Sequence, residues 1–241
     1  MKWFLSLAIF NNTNNNEQGT FFFTFCFPFF TILALWIDSV SFCQNHFDGR
    51  MLTNVLAITY FVFFFISAQA KLRKLMFCMV FLSYIGELLF CKALGLYDYR
   101  TADIPLYVPF GHAIVYAAGF VLAELKLIKA NEILVRKIFL IAFTLLFLSV
   151  GIFINDMFSL LFGLLFFGLM KRKKWQNVYY TIALCVIFIE LVGTYCKCWT
   201  WVPKVFNAIP TANPPMGAVF FYAGGDVILA KIVSYWKSNK E

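Results

Sequence analysis

The chain has 241 residues, of which 62% are apolar, 20% aromatic and only 13% charged, with 32 phenylalanines. A soluble chain of this length has too little interior to hide so much apolar surface, and the apolar share is far above that of a disordered chain. The formal net charge of +8 invites a nucleic-acid reading, but the placement of the basic residues points to membrane topology instead.

A membrane helix needs about 20 mostly apolar residues to cross roughly 30 Å of hydrocarbon. Eight such runs are predicted, at 20–37, 51–70, 75–96, 105–123, 138–154, 157–170, 177–196 and 216–235. The fifth and sixth are separated only by Asn155-Asp156. Read as one helix, 138–170 would be about 50 Å long at 1.5 Å per residue, so a tight hairpin is expected there. The predicted fold class is an all-α polytopic membrane protein.

Basic residues fall between alternate runs: Lys71, Arg73 and Lys74, then Lys126, Lys129, Arg136 and Lys137, then Lys171 to Lys174, and finally Lys231, Lys237 and Lys240. The positive-inside rule places these loops and both termini in the cytoplasm, in a protein integral to a bacterial cytoplasmic membrane. At the N-terminus, Lys2 and the apolar stretch 3–10 resemble a short signal region. The polar run 11–19 follows with no small-residue cleavage site, so an uncleaved interfacial segment is expected. The sequon at Asn11 would then face the cytoplasm and stay idle. Seven cysteines lie mostly in apolar runs, as small hydrophobes do. Cys43, Cys196 and Cys198 sit at the outer side, where a disulfide is open to them.

A repeat organises the chain. Pro109, Gly111, Tyr116, Ala117 and Gly119 each recur 106 residues later, at Pro215, Gly217, Tyr222, Ala223 and Gly225. Upstream, Glu87 matches Glu190, and Tyr97-Asp98-Tyr99 matches Trp199-Thr200-Trp201. Two four-helix halves follow, about 1–125 and 126–241. An even number of spans in each makes them parallel repeats about an axis along the membrane normal.

Ionisable side chains within spans are costly and are functional candidates by default. Glu87 lies about 18 Å into the third run at 1.5 Å per residue, and Glu190 is at a similar depth in the seventh. His112 stands near the outer end of the fourth run and Asp226 near the middle of the eighth. A pseudo-two-fold would bring both glutamates to one cavity, with His112 and Asp226 descending towards it. Tyr97, Tyr99, Tyr116, Trp199, Trp201, Asn213 and Tyr222 would line it and bind substrate. Structural alternatives stand beside this reading. The glutamates would serve as helix-packing glue bonded to backbone or to Lys92, the Tyr and Trp residues as an interfacial belt, and Asp226 as a partner of Lys231. No phosphate-binding glycine loop, zinc helix or nucleophile elbow is present, and two histidines are too few for a di-iron or haem site. No cofactor and no metal are expected.

The segment Glu87, Gly95, Tyr97-Asp-Tyr99, Ile104-Pro105-Leu106 and Pro109, with Cys198-Trp199-Thr-Trp201, Ile209-Pro210, Asn213 and Gly217, resembles the CruF-type carotenoid hydratases. That membrane family carries an acidic residue ahead of a G-x-Y-x-Y stretch and a later W-x-W stretch ahead of a P-x-x-N segment. The likeness covers 87–112 and 190–217. The chain departs from the family at His112, where Trp is usual, and at Glu190, which stands alone where the family has an Asp-rich helix. The resemblance implies a membrane lyase that adds water to an isolated alkene of a carotenoid.

The residues suit such chemistry. A carboxyl group in an apolar pocket can serve as a proton donor. Aromatic faces stabilise the tertiary cation that results, and a second carboxylate or His112 orients water. The expected function is an integral membrane enzyme acting by acid–base chemistry at Glu87 and Glu190. Its partners would be membrane lipid and a lipid-soluble isoprenoid substrate, with no nucleic acid. Two other classes compete: a small proton-coupled transporter or channel, and a membrane assembly factor without chemistry.

Overall fold

The computed structural model describes residues 15–171, 173 and 176–238. The expected interfacial segment falls largely outside these residues, as does the sequon at Asn11. Apolar content drives nearly everything that is described into helix. In chain order the helices are α1 (Asn15–Ile37), α2 (Val40–Asn45), α3 (Arg50–Ser67), α4 (Ala70–Glu87), α5 (Tyr107–Ala123), α6 (Lys126–Ala130), α7 (Glu132–Phe153), α8 (Met157–Met170), α9 (Gln176–Tyr195) and α10 (Val219–Ser238). α4 runs on into a π-helical turn, Leu88–Ala93, and a 3-10 turn, Met216–Ala218, leads into α10.

Among the described residues, six helical segments are long and apolar enough to cross a membrane: those of α1, α3, α4 with its π turn, α7, α9, and α10 with its 3-10 turn. α5 and α8 are apolar but shorter. The surface is that of a membrane protein. Large apolar side chains such as Phe25, Val55, Phe81, Ile141 and Ile232 point outwards from the long helices, where a water-soluble surface would show a few scattered ones.

α5, though short, is the most deeply enclosed helix and packs against α1, α3, α4 and α9. Its crossing with α9 is close because Gly119 has no side chain: a Cβ there would stand 2.5 Å from the Ile182 Cα. Thr181 uses that approach to donate a hydrogen bond of 2.8 Å to the Gly119 carbonyl. Small residues and hydroxyls hold helices together in this way where water cannot drive association. α7 is the opposite case: it buries only Phe143, Phe147 and Gly151 and lies on the flank of the bundle.

The expected hairpin joins α7 to α8. Asn155 takes a left-handed turn at φ 55°, and Asp156 caps α8 by accepting from the Ser159 amide at 3.0 Å. The short helices α2 and α6 have no counterpart among the eight apolar runs, and neither do four short strands. β1 (Tyr97–Tyr99) pairs antiparallel with β2 (Trp199–Trp201), with Tyr97 opposite Trp201, Asp98 opposite Thr200 and Tyr99 opposite Trp199. β3 (Lys204–Val205) pairs with β4 (Ile209–Pro210). All seven cysteines are free thiols. The Cys198 thiol donates to the Leu35 carbonyl at 3.2 Å, and Cys43 accepts from the Gly49 amide at 3.4 Å.

Candidate functional site

The π turn sets up the site. Glu87 is the last residue of α4 before the helix widens, and Gly95 at φ 59° ends the run and turns the chain into β1. π turns recur at functional sites, and the left-handed position favours glycine. The turn folds β1 back over the end of α4. Tyr97 and Tyr99 each donate a phenolic hydrogen to Glu87 Oε2, at 2.8 and 2.7 Å. Burial pushes both phenols well above their ordinary pKa, and the Glu87 charge adds to the effect, so they remain donors. The other oxygen, Oε1, lies 3.0 Å from His112 Nε2 on α5. Lys92 turns away and donates to the Ala102 carbonyl, so it is not the partner of Glu87.

Glu190, on α9, has a shell of the same design. Trp199 and Trp201 donate their indole hydrogens to its Oε2 at 2.9 and 3.0 Å, and the Tyr222 hydroxyl donates to Oε1 over a longer 3.4 Å. The rings of His112 and Tyr222 stack at 4.9 Å and 11°. The two acids are thus linked through space as Glu87, His112, Tyr222 and Glu190. Both are buried, at 4% and 5% exposure, and every indole and phenol in their shells comes from the β1–β2 pair or from α10.

Two cavities meet at this linkage. One of about 80 Å³ is enclosed by α1, α3, α5 and α9, and Thr31, Thr53 and Tyr107 give it a polar side. The other, about 360 Å³, lies between α4 and α10 and is lined chiefly by apolar groups. Glu87, Tyr97, His112, Glu190, Trp201 and Tyr222 line both. The larger chamber owes its space to Gly224 and Gly225, where an added Cβ would touch nothing. Its walls include Ile85, Leu89 and Ile228, each about half exposed on the flank of the helices, so it opens sideways.

Three expected site residues lie elsewhere. Tyr116 is buried in the core against Phe120 and lines neither chamber. Asn213 accepts the Trp201 amide at 3.0 Å and so braces β2 from behind. Asp226 is one turn beyond Tyr222 but lines neither chamber. It lies in electrostatic range of Tyr116 and Tyr179, and neither carboxylate oxygen has a hydrogen-bond partner among the described residues.

One cluster escaped the sequence. Asp38, fully buried, accepts from Arg50 Nε, Arg100 Nη2 and the Tyr107 hydroxyl, each at 2.8 Å. Arg100 also bonds Asp48 at 2.6 Å and thereby holds that carboxyl below the usual range. This network ties the ends of α1, α3 and α5 to the loop after β1. Asp38, Cys43 and Asp48 are close enough to share a cation, but two guanidinium groups already neutralise the acids. The only hint in the sequence is an acid closing one apolar run and an arginine opening the next.

Gly193 lets Trp199 reach Glu190. A Cβ at that position would stand 1.9 Å from the Trp199 ring. Helix propensity alone would make Gly193→Ala stabilising by about 1 kcal/mol, whereas overpacking costs about 1–3 kcal/mol. The expected result is a lower melting temperature with altered tryptophan emission. A higher melting temperature with unchanged emission would show that the glycine is not needed there. The chain matches no family model, no curated protein and no solved structure.

Proposed function

We propose that this is an integral membrane enzyme that performs acid–base chemistry on the alkene end of a lipid-soluble isoprenoid. The observation that carries the reading is the placement of two buried, donor-ringed glutamates on the wall of one apolar chamber that opens sideways between α4 and α10. A chamber of about 360 Å³ is near the lower limit for ligand pockets. It takes the end of a long chain while the remainder stays in the bilayer.

In this reading the Glu87–His112 pair holds the proton. The proton adds to one alkene carbon, and the neighbouring carbon becomes a tertiary cation facing Tyr97, Trp201 and Tyr222. Water adds to that carbon and returns a proton to the pair, so alkene and water give a tertiary alcohol. The smaller cavity, at about 80 Å³ and with hydroxyls on its wall, has room for a few waters. Loss of a different proton would give an isomerised alkene at the same site.

The β1–β2 register supports two similar halves. Shifting Tyr97 and Tyr99 by 102 residues gives Trp199 and Trp201, and the pairing of Tyr97 with Trp201 becomes that of Trp199 with Tyr99. Every antiparallel ladder has that local two-fold, and what supports the reading is that two segments 102 residues apart supply its two strands. The proposal includes eight crossings, with α5 and α8 as the short ones, and both termini in the cytoplasm by the placement of the basic loops.

The test is extraction of lipids and pigments from cells with and without the protein. A shift of one isoprenoid by the mass of water, or to an isomer, is expected. Unchanged lipid and polyene profiles would remove the enzymatic reading.

A further inference from the structure

The charge balance of the chambers points to a ligand class. Their walls carry two buried carboxylates and no lysine or arginine. Every hydrogen bond to Glu190 comes from a neutral donor, and an indole N–H can only donate. That shell complements a carboxylate but leaves its charge uncancelled. Among the described residues that line the chambers, only His112 can offer a positive charge, and it stands against Glu87. One imidazole cannot offset two acids, and buried charge without a counter-charge is expensive.

The missing counter-charge is not a hard metal ion. Ca²⁺ and Mg²⁺ need six or more oxygen ligands, and the four carboxylate oxygens here are already engaged by phenol, indole and imidazole groups, leaving only scattered hydroxyls. Tyr97, Trp201 and Tyr222 present aromatic groups to both chambers, which suits a bulky, weakly hydrated cation. Beside that cage, Gly224 and Gly225 leave a sideways channel with the width of missing side chains.

We infer that the site binds lipophilic alkylammonium ions, with the ammonium head between Glu87 and Glu190 and the alkyl tail in the glycine-lined chamber between α4 and α10. The inference deepens the proposed function and rests on it, since an alkylammonium is a stable likeness of the tertiary cation. Its measurement needs no turnover.

The test uses the full chain in nanodiscs of zwitterionic lipid, with decyltrimethylammonium and its uncharged all-carbon isostere as probes, read by equilibrium dialysis. The ammonium is expected to bind at least tenfold tighter than the isostere. Glu190→Gln should remove that preference without lowering the melting temperature. Gly225→Leu, whose Cβ would meet nothing within 4 Å, should weaken decyltrimethylammonium at least tenfold and leave tetramethylammonium unchanged. Equal binding of ammonium and isostere, or a preference that survives Glu190→Gln, overturns the inference. If that happens while the isoprenoid profile does change, the enzyme reading stands and the ligand class falls. Charge-selective binding with an unchanged profile removes the enzyme and leaves the cation site.

Discussion

Glu87→Gln and Glu190→Gln are each expected to lower turnover of the lipid substrate by about 100-fold or more, with little change in melting temperature. The prediction separates charge from shape. A glutamine at 190 keeps one oxygen to accept both indole hydrogens, and its amide can turn to the Tyr222 oxygen. A glutamine at 87 keeps an acceptor for Tyr97 and Tyr99 and presents its amide to His112. Neither change opens a cavity, and the hydrogens left over, one on each amide and that of the Tyr222 hydroxyl, stand on the chamber walls, where water can accept them, so the fold should tolerate both. What is lost is the ability to hold or release a proton, which is worth about 10²–10⁴ in rate when a positioned group supplies it. The measurement is conversion of the isoprenoid identified by extraction, using variants matched for melting temperature. Retention of near wild-type conversion in both variants would sink the acid–base assignment, whatever the substrate.

Asp38→Ala is expected to cost the most stability of any single change, about 3–5 kcal/mol. The carboxylate has no exposed surface and is shared by Arg50, Arg100 and Tyr107. Removing it leaves two mostly buried guanidinium groups without their anion, and each already has one nitrogen without a partner among the described residues. Asp48 is the internal control. It contacts the same Arg100, but its side chain is 62% exposed, and exposed pairs contribute only about 0–1 kcal/mol. Thermal melts of Asp38→Ala and Asp48→Ala should therefore differ widely, with the first lower by on the order of 10 °C. Equal shifts would mean that the network is ornamental. Because it holds the loop after β1, Asp38→Ala should also loosen the tyrosines that cover Glu87.

The helices were legible because lipid imposes a minimum length on apolar runs, and each run expected from the sequence became a helix, with ends displaced by up to six residues. The hairpin at Asn155-Asp156 was legible for the same reason: no single span could be that long. Pairs within one stretch were also readable. Glu87 with Tyr97 and Tyr99, and Glu190 with Trp199 and Trp201, lie only 9 to 12 residues apart, which made a shared cavity legible but not the hydrogen bonds from ring to carboxylate. The Asp38 network was not readable, since its partners are 12, 62 and 69 residues distant and nothing in composition marks them. Alternation in Tyr-Asp-Tyr and Trp-Thr-Trp was a strand signal, masked by the expectation that such aromatics form a belt. Asp226 and Tyr116 show a further limit. Spacing gives depth along a helix, but the wall to which a side chain turns depends on how the helix is rotated against its neighbours.

The π turn at Leu88–Ala93 has a consequence for how this segment can change over time. A wider turn holds one residue more than the α-helix would, and each residue of an α-helix advances the chain by about 100°. Losing one residue between 88 and 93 would let the helix revert to the ordinary pitch with β1 leaving in nearly the same direction, whereas gaining one would turn β1 away from Glu87. Substitution is easy at Leu88, which faces outwards and lines neither chamber, but Leu89 and Phe90 wall the larger chamber and Cys91 is buried. In length the segment can therefore give one residue back but not take another, and in letter it is free chiefly at Leu88.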